Sequence, residues 1–523
     1  MSRVLFDLAS YARSMENQTS VPLPPPSPEP EEIVLSNHSE LRVEERYGDD
    51  PDPATDDDDD EISPNDSLQY ARFHGQFSTV DLIKSAISIK KNYTGAEFEG
   101  KRDRPEYWEV LPWQELLRFE PPPLEFPPND LLLSLVDLYF QNVNFITPFL
   151  HRPTFERLIS QNIHKYQYDF GALLMAVCAM GSRYSNDPRV FIDGSRSELS
   201  AGWKFIKQIR IFRTSFEEPV SLHELQLFCV CSIFLRGTSL SEATGPLIAL
   251  GIRLAQEVGA HKSCCNPGQT RVEQELWKRI YWQLVNIDVQ ASVILGRPPA
   301  QVMEDHDLEL PIDCDDEYWE HPDPKQAFRQ PEGEPSTVTA WILLLKLIDI
   351  FAVARRLLYT INNKKSNEAS EEEKHVRQLD SALEKWLKSF PDFLHWDPRK
   401  PKSVFQDQSA TLFMLYVWVQ MQIHRIFVSR NTATSRSSSS LSLSSLARSA
   451  SVARACCQFM TVHRARAPLP LPHVQLAVFQ SGVILMIHAW AAKRFNIATN
   501  YEDDIRDVER CSEVLKVFEQ RLV

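Results

Sequence analysis

A chain of 523 residues with 43% apolar and 10% aromatic residues can bury a large core, which excludes a disordered or fibrous polymer. Its formal charge of −15 excludes a protein that grips nucleic acid through its bulk surface. The short basic runs at 101–104 and 464–466 read as solvated surface. The nine cysteines contain no C-x-x-C pair, so a zinc site is not indicated and reduced thiols are expected. The two longest apolar runs are interrupted by Lys346 and Asp349 or by Gln480 and His488, too short for a membrane span, and no membrane contact is expected.

Residues 1–66 open with a stub of helical spacing at Leu5, Leu8, Ala12 and Met15, then turn Pro-rich and acidic. Few apolar groups and one dominant charge sign cannot offset the entropy of ordering, so this tail is predicted to be disordered. From Ser67 the composition becomes globular, with a stiff proline connector at 121–130. Asn129 and Asp130 are candidate caps for a helix carrying Leu132, Leu135, Val136, Tyr139, Val143 and Ile146 on one face, which Pro148 ends. A second helix follows, with Pro153 favourably placed in its first turn.

Leu173, Val177, Met180 and Tyr184 repeat by four, three and four. The run at 222–235 is apolar all round, as a central helix of a bundle would be. The next helix is marked at both ends, by Thr244 as a cap and by Gly259 as a stop. A long helix from Glu273 then carries Trp277, Ile280, Tyr281, Leu284, Ile287, Ala291, Ile294 and Leu295 at spacings of three and four. Gly296 ends it, and Pro298 and Pro299 forbid its continuation. Asp288, at the edge of the apolar stripe, needs a partner, and Arg297 beyond the helix end is the candidate. An acidic loop follows, containing Asp315, Asp316, Tyr318 and Trp319.

Further helices are predicted near 336–360, 371–390, 406–429, 452–466, 473–493 and 503–521, with a low-complexity Ser-rich loop at 431–451. The fold class is all-α: a large irregular helical bundle behind a disordered acidic, Pro-rich tail. Its parts are the tail at 1–66, a helical domain at 67–430, the mobile loop at 431–451, and helices at 452–523 that return to the same domain.

The ordered set of motifs resembles the fungal-specific transcription factor domain, the middle homology region of six-cysteine zinc-cluster regulators. It comprises LVDLYFQNVNFITPFLHRPTF with His151, Pro153 and Phe155; LLMAVCAMGSRYS; GIRLAQEVGAHK; LWKRIYWQLVNIDVQASVILGRPPA with Asp288, Gly296, Arg297 and Pro298; and DDEYW with Asp315, Asp316, Tyr318 and Trp319. The resemblance implies a nuclear transcription regulator whose partners are co-regulators, with room for a small-molecule effector and a homodimer. No cysteine precedes Cys178, so the family's zinc cluster is missing from this sequence. The chain is therefore expected to hold no zinc, and DNA contact would come through an N-terminal module missing here or through a partner.

Two other readings compete. A helical partner-binding protein would never touch DNA. A metal-dependent helical enzyme would use Asp56–Asp60 or Asp315 and Asp316 as magnesium ligands. The first aspartate run lies in the tail, and the second reads as a solvated loop. His261 beside Cys264 and Cys265 lacks a fourth ligand, and no nucleophile stands at a recognisable motif spacing, so an enzyme is not expected.

Overall fold

The computed structural model describes residues 73, 78, 121–195, 197–213, 219–263, 269–359, 369–433, 440–464, 474–495 and 501–519. Among them stand thirteen α-helices and no strand, so the all-α expectation holds. The acidic tail at 1–66 lies outside the described residues.

The first helix, α1, spans Asn129–Tyr139 and runs into a π-helical turn at Phe140–Asn144. Neither predicted cap caps it: no side chain bonds its first turn, and Asp130 is held instead by Arg189 at 2.8 Å. After α2 (Arg152–Ser160) comes α3 (Tyr168–Ser182), buried on nearly every face. Gly181 lets it lie against α1, because a Cβ there would stand 2.1 Å from the Leu135 carbonyl oxygen. The four-residue α4 (Trp203–Ile206) leads to α5 (Leu222–Arg236), capped by the Ser221 hydroxyl, which accepts from the Glu224 amide at 3.1 Å. In α6 (Thr244–Glu257) Thr244 is the first helical residue and not the cap; its hydroxyl turns to the Ser232 carbonyl.

The centre is α7 (Arg271–Leu295), which starts in a full capping box between Thr270 and Glu273 and stops at Gly296, φ +66°. Then follow α8 (Val338–Tyr359), α9 (Ala369–Lys388), α10 (Val404–Ala433), α11 (Ser440–Arg464), α12 (Gln475–Phe495) and α13 (Tyr501–Glu519). Helices α1, α3, α5, α6 and α7 pack in succession, and α8 joins them to the mutually packed α10–α13. One apolar core runs through both halves, from Leu131 to Phe518. A second, small cluster of Leu276, Cys314, Trp319 and Phe328 fastens the acidic loop to α7.

The predicted loop at 431–451 is corrected over most of its length. Helix α10 reaches Ala433 and α11 begins at Ser440, while 434–439 lie outside the described residues. Leu446, Ala450, Ala453 and Cys457 repeat by four, three and four and are at most 5% exposed. The interleaved Ser445 and Ser449 are small enough to bury as well, and the Ser445 hydroxyl meets His424 Nδ1 at 3.1 Å. Helix α12 is long and apolar enough to cross a membrane by length and composition, so its run is not too short. It nevertheless packs among α10, α11 and α13, and His488 on it holds Asp504 of α13 at 2.7 Å.

Candidate functional site

Helix α7 buries seven polar or charged side chains: Glu275, Arg279, Gln283, Asn286, Asp288, Gln290 and Ser292. Burying such groups is costly unless each is paired, so their partners define what the helix does. Ser292 donates back to the Val289 carbonyl of its own helix at 2.8 Å, and the other six fall into three groups.

At its N-terminal end Arg279 is completely buried. Its guanidinium donates to the Pro148 carbonyl at 2.8 Å and to Asp316 Oδ1 at 3.0 Å, and lies beside Glu275 at 3.4 Å. It stacks 4.3 Å from the Trp319 ring. His151 lies on the other side of the same loop, stacked on Trp319 at 4.3 Å with Nε2 3.0 Å from the Asp316 carbonyl oxygen. A carbonyl only accepts, so Nε2 carries the proton and Nδ1 accepts from the Thr154 hydroxyl at 2.8 Å. Burial pushes the His151 pKa down, against the pull of Asp316. Phe155, on α2 near Pro153, packs edge-on against Phe140 and Phe170.

The motif residues His151, Asp316 and Trp319 therefore meet at Arg279 in one knot that ties α2 and the acidic loop to α7, while Phe155 packs apart from it in the main core. Asp315 and Asp316 are not a solvated pair. Asp315 accepts from the Thr337 amide at 2.9 Å and from Gln330 Nε2 at 3.0 Å, and Asp316 also accepts from the Arg152 amide at 3.0 Å. Tyr318 stays outside, its hydroxyl donating to Glu334 at 2.9 Å. Among the described residues no group of three or more His, Cys, Asp or Glu is arranged to hold a metal. Cys264 and Cys265 lie outside them.

The second group is Asp288 alone, and here the predicted pair does not form. Asp288 Oδ2 accepts from the Ala300 amide at 2.9 Å, fastening the turn at Gly296, Arg297 and Pro298 back onto the helix. Arg297 reaches the other way, to Glu242 at 3.4 Å. The reason is geometric: the chain reverses at Gly296, so backbone amides and not the guanidinium arrive over the carboxyl. Burial pushes the Asp288 pKa up to about 6, although amide donors from Ala300 and Gln301 and the charge of Arg355 pull the other way.

The third group lines a cavity of about 210 Å³ between the π-helical turn after α1, the C-terminal ends of α3 and α5, α7, and residues of α8, α10 and α12. Gln283, Asn286 and Gln290 form a ladder of amides along one side of α7. Gln290 donates to Asn286 at 2.6 Å and Asn286 to Gln283 at 3.3 Å, while Gln290 accepts from Arg236 Nη1 at 2.9 Å. Arg183 stands in the same wall, donating to the Phe234 carbonyl at 2.8 Å and stacked 4.1 Å over its ring. Burial pushes both arginines down to about 10, still cationic at neutral pH. Apolar surface from Ile146, Met180, Ala291 and Leu415 completes the space.

Neither Arg279 nor the cavity arginines were singled out from sequence. A signal existed: Arg279, Gln283, Asn286 and Gln290 are spaced four, three and four, a polar stripe at helical period inside an apolar helix.

An all-helical bundle with an acidic loop knotted onto a polar central helix is the class this chain defines. Residues 136–388 match the fungal specific transcription factor domain. It is 27% identical over 269 residues to an ABC-transporter-regulating transcription factor of Aspergillus fumigatus, covering 51% of this chain and 29% of that protein. It is 25% identical over 315 residues to the activator of stress genes 1 of Saccharomyces cerevisiae, covering 58% and 32%. It is also 25% identical over 300 residues to the cutinase transcription factor 1 alpha of Fusarium vanettenii, covering 57% and 31%. These matches span only about a third of the relatives' own lengths.

Proposed function

We propose that this chain is a nuclear regulator of transcription, acting through the helical unit around α7 and not through catalysis. The observation that carries the reading is the family match over 136–388, which takes in the motif knot and most of the cavity wall. The names of three relatives, each a transcription factor or gene activator, support it. In this reading DNA contact comes through a further module or a partner, co-regulators bind the helical surface, and the cavity takes a small-molecule effector. A surface with formal charge −15 suits protein partners better than phosphate.

Tethering the chain through a heterologous DNA-binding module to a reporter promoter tests the reading. Reporter output should change several-fold in one direction, and a tagged chain should collect in the nucleus. Exclusion from the nucleus together with an unchanged reporter would overturn it.

A further inference from the structure

The cavity beside α7 joins an apolar space to a cation without a counter-charge among the described residues. Among the described residues no carboxylate pairs with Arg236. Its Nη1 donates to a neutral amide, its Nη2 reaches the Ile287 carbonyl at 3.4 Å, and its buried Nε has no acceptor. An ionised group set this deep is costly to keep unless a partner completes it. The amide ladder points the same way. Each amide donates to the next from Gln290 to Gln283, so the row ends on the Gln283 Nε2 donor, which has no acceptor among the described residues. A cation at one end and a free amide donor at the other call for an anionic acceptor.

The remaining wall restricts what can carry that anion. It is mainly apolar, with Ile146, Met180, Ala291 and Leu415 turned to the space. At about 210 Å³ it exceeds the roughly 150 Å³ that holds benzene in an apolar engineered cavity. A body on the order of ten non-hydrogen atoms fits that scale. The π-helical turn at Phe140–Asn144 sets Asn142 and Val143 into the wall, and such turns recur where helices are bent to a functional need.

We propose that this cavity binds a small monocarboxylate with an apolar body, the carboxylate on the Arg236 guanidinium and the body against Ile146, Met180, Ala291 and Leu415. The inference rests on the effector reading above and specifies the chemistry of the effector. A carboxylate accepts from the Nη groups of the guanidinium that lines the cavity and neutralises the cation. The apolar body displaces water from surface that holds it poorly.

The test uses the purified full chain, with benzoate, phenylacetate and hexanoate as probes and their neutral amides as controls. Calorimetric titration and thermal unfolding should both show saturable binding of at least one acid, with its amide weaker by roughly tenfold or more. Arg236→Gln should weaken the acid to the level of its amide. Because that variant also loses the bond to Ile287, Gln290→Glu serves as a second: it sets a protein carboxylate against Arg236 and should abolish acid binding while the fold persists. No saturable binding of any of the three acids up to millimolar concentrations overturns the proposal. So does equal binding of acids and amides, or acid binding unchanged in Gln290→Glu. A tethered chain that still moves the reporter while the acids fail to bind would sink this inference alone, whereas acid binding by a chain that is excluded from the nucleus and leaves the reporter unchanged would sink the regulatory reading alone.

Discussion

Replacing Asp288 by asparagine separates the two effects that meet at this residue. The carboxyl is 5% exposed and accepts a 2.9 Å hydrogen bond from the Ala300 amide. Asparagine keeps one side-chain oxygen for that bond, removes the charge, and puts an NH2 donor in place of the second oxygen. Burial lifts the pKa from 3.8 to about 6, and at about 1.4 kcal/mol per unit the buried charge costs the folded state on the order of 3 kcal/mol above that pH. A weaker hydrogen bond to a neutral oxygen takes back about 1 kcal/mol. Asp288→Asn should therefore be neutral to stabilising, by about 1–3 kcal/mol, at neutral pH.

The pH dependence follows from the same raised pKa. Between the unfolded and folded values the native state binds more protons, so wild-type stability falls as pH rises through that window. The gap between variant and wild type should accordingly open from about pH 4 to about pH 6 and then stay constant. Urea unfolding of both proteins across that range measures the gap directly, because titrations common to both cancel. A gap that stays flat from about pH 4 to about pH 7, or an asparagine variant clearly destabilised at neutral pH, would refute the buried-charge account and restore a needed ion pair.

Arg279→Met removes the fully buried cation from half-buried Asp316 and from Glu275, which keeps Lys278 at 2.8 Å; chemical denaturation should show a loss of up to about 3–5 kcal/mol. Gly181→Ala drives a Cβ into the Leu135 carbonyl at 2.1 Å, so α1 and α3 must separate, and a lowered urea midpoint worth at least about 1–3 kcal/mol is expected. Asp504 is fully buried between Arg454 and His488, each 2.7 Å away. Burial alone would raise its pKa, but those hydrogen bonds outweigh it and hold the carboxyl below its ordinary value. The advantage of wild type over Asp504→Asn should be full above the unfolded pKa of about 3.9 and vanish as pH falls through the lower folded one. Leu446→Ala, a neutral change in a mobile loop, should instead cost about 2–5 kcal/mol by the same denaturation assay, because Leu446 is 5% exposed against the core.

Periodicity made the helices legible because most of them bury a continuous apolar stripe, and the stops at Gly296 and Pro298 follow from backbone sterics alone. What stayed hidden was pairing across long sequence distance. Arg279 and Asp316 are 37 residues apart and His151 and Asp316 are 165 apart, so nothing local marks them as partners. The Asp288–Arg297 pair looked natural in one dimension and failed because the chain turns between them. The Ser-rich segment was hidden by composition: serines dilute the hydrophobic signal of α11, yet in close helix packing a buried serine serves as a small residue, as Ser449 does at 0% exposed. In the acidic loop, charge suggests solvation, but amides and the Arg279 side chain from elsewhere in the fold make Asp315 and Asp316 half-buried acceptors.

The polar inventory of α7 finally bears on why the helix takes this form. Apolar residues of similar volume usually stabilise a core as well as buried polar groups do, or better. A helix whose task was only packing has no need of Arg279, Gln283, Asn286 and Gln290 in a row. The knot around Arg279 has a structural reason, since it anchors an acidic loop that would otherwise be repelled from the protein's own negative surface. The ladder from Gln283 to Gln290 anchors no loop. It faces a space and ends at a cation without a counter-charge among the described residues, an arrangement that burial penalises and that an anionic occupant would offset. One helix thus holds two kinds of polar group, one satisfied by the fold and one left incomplete by it, and the incomplete one is where regulation by a small molecule would enter.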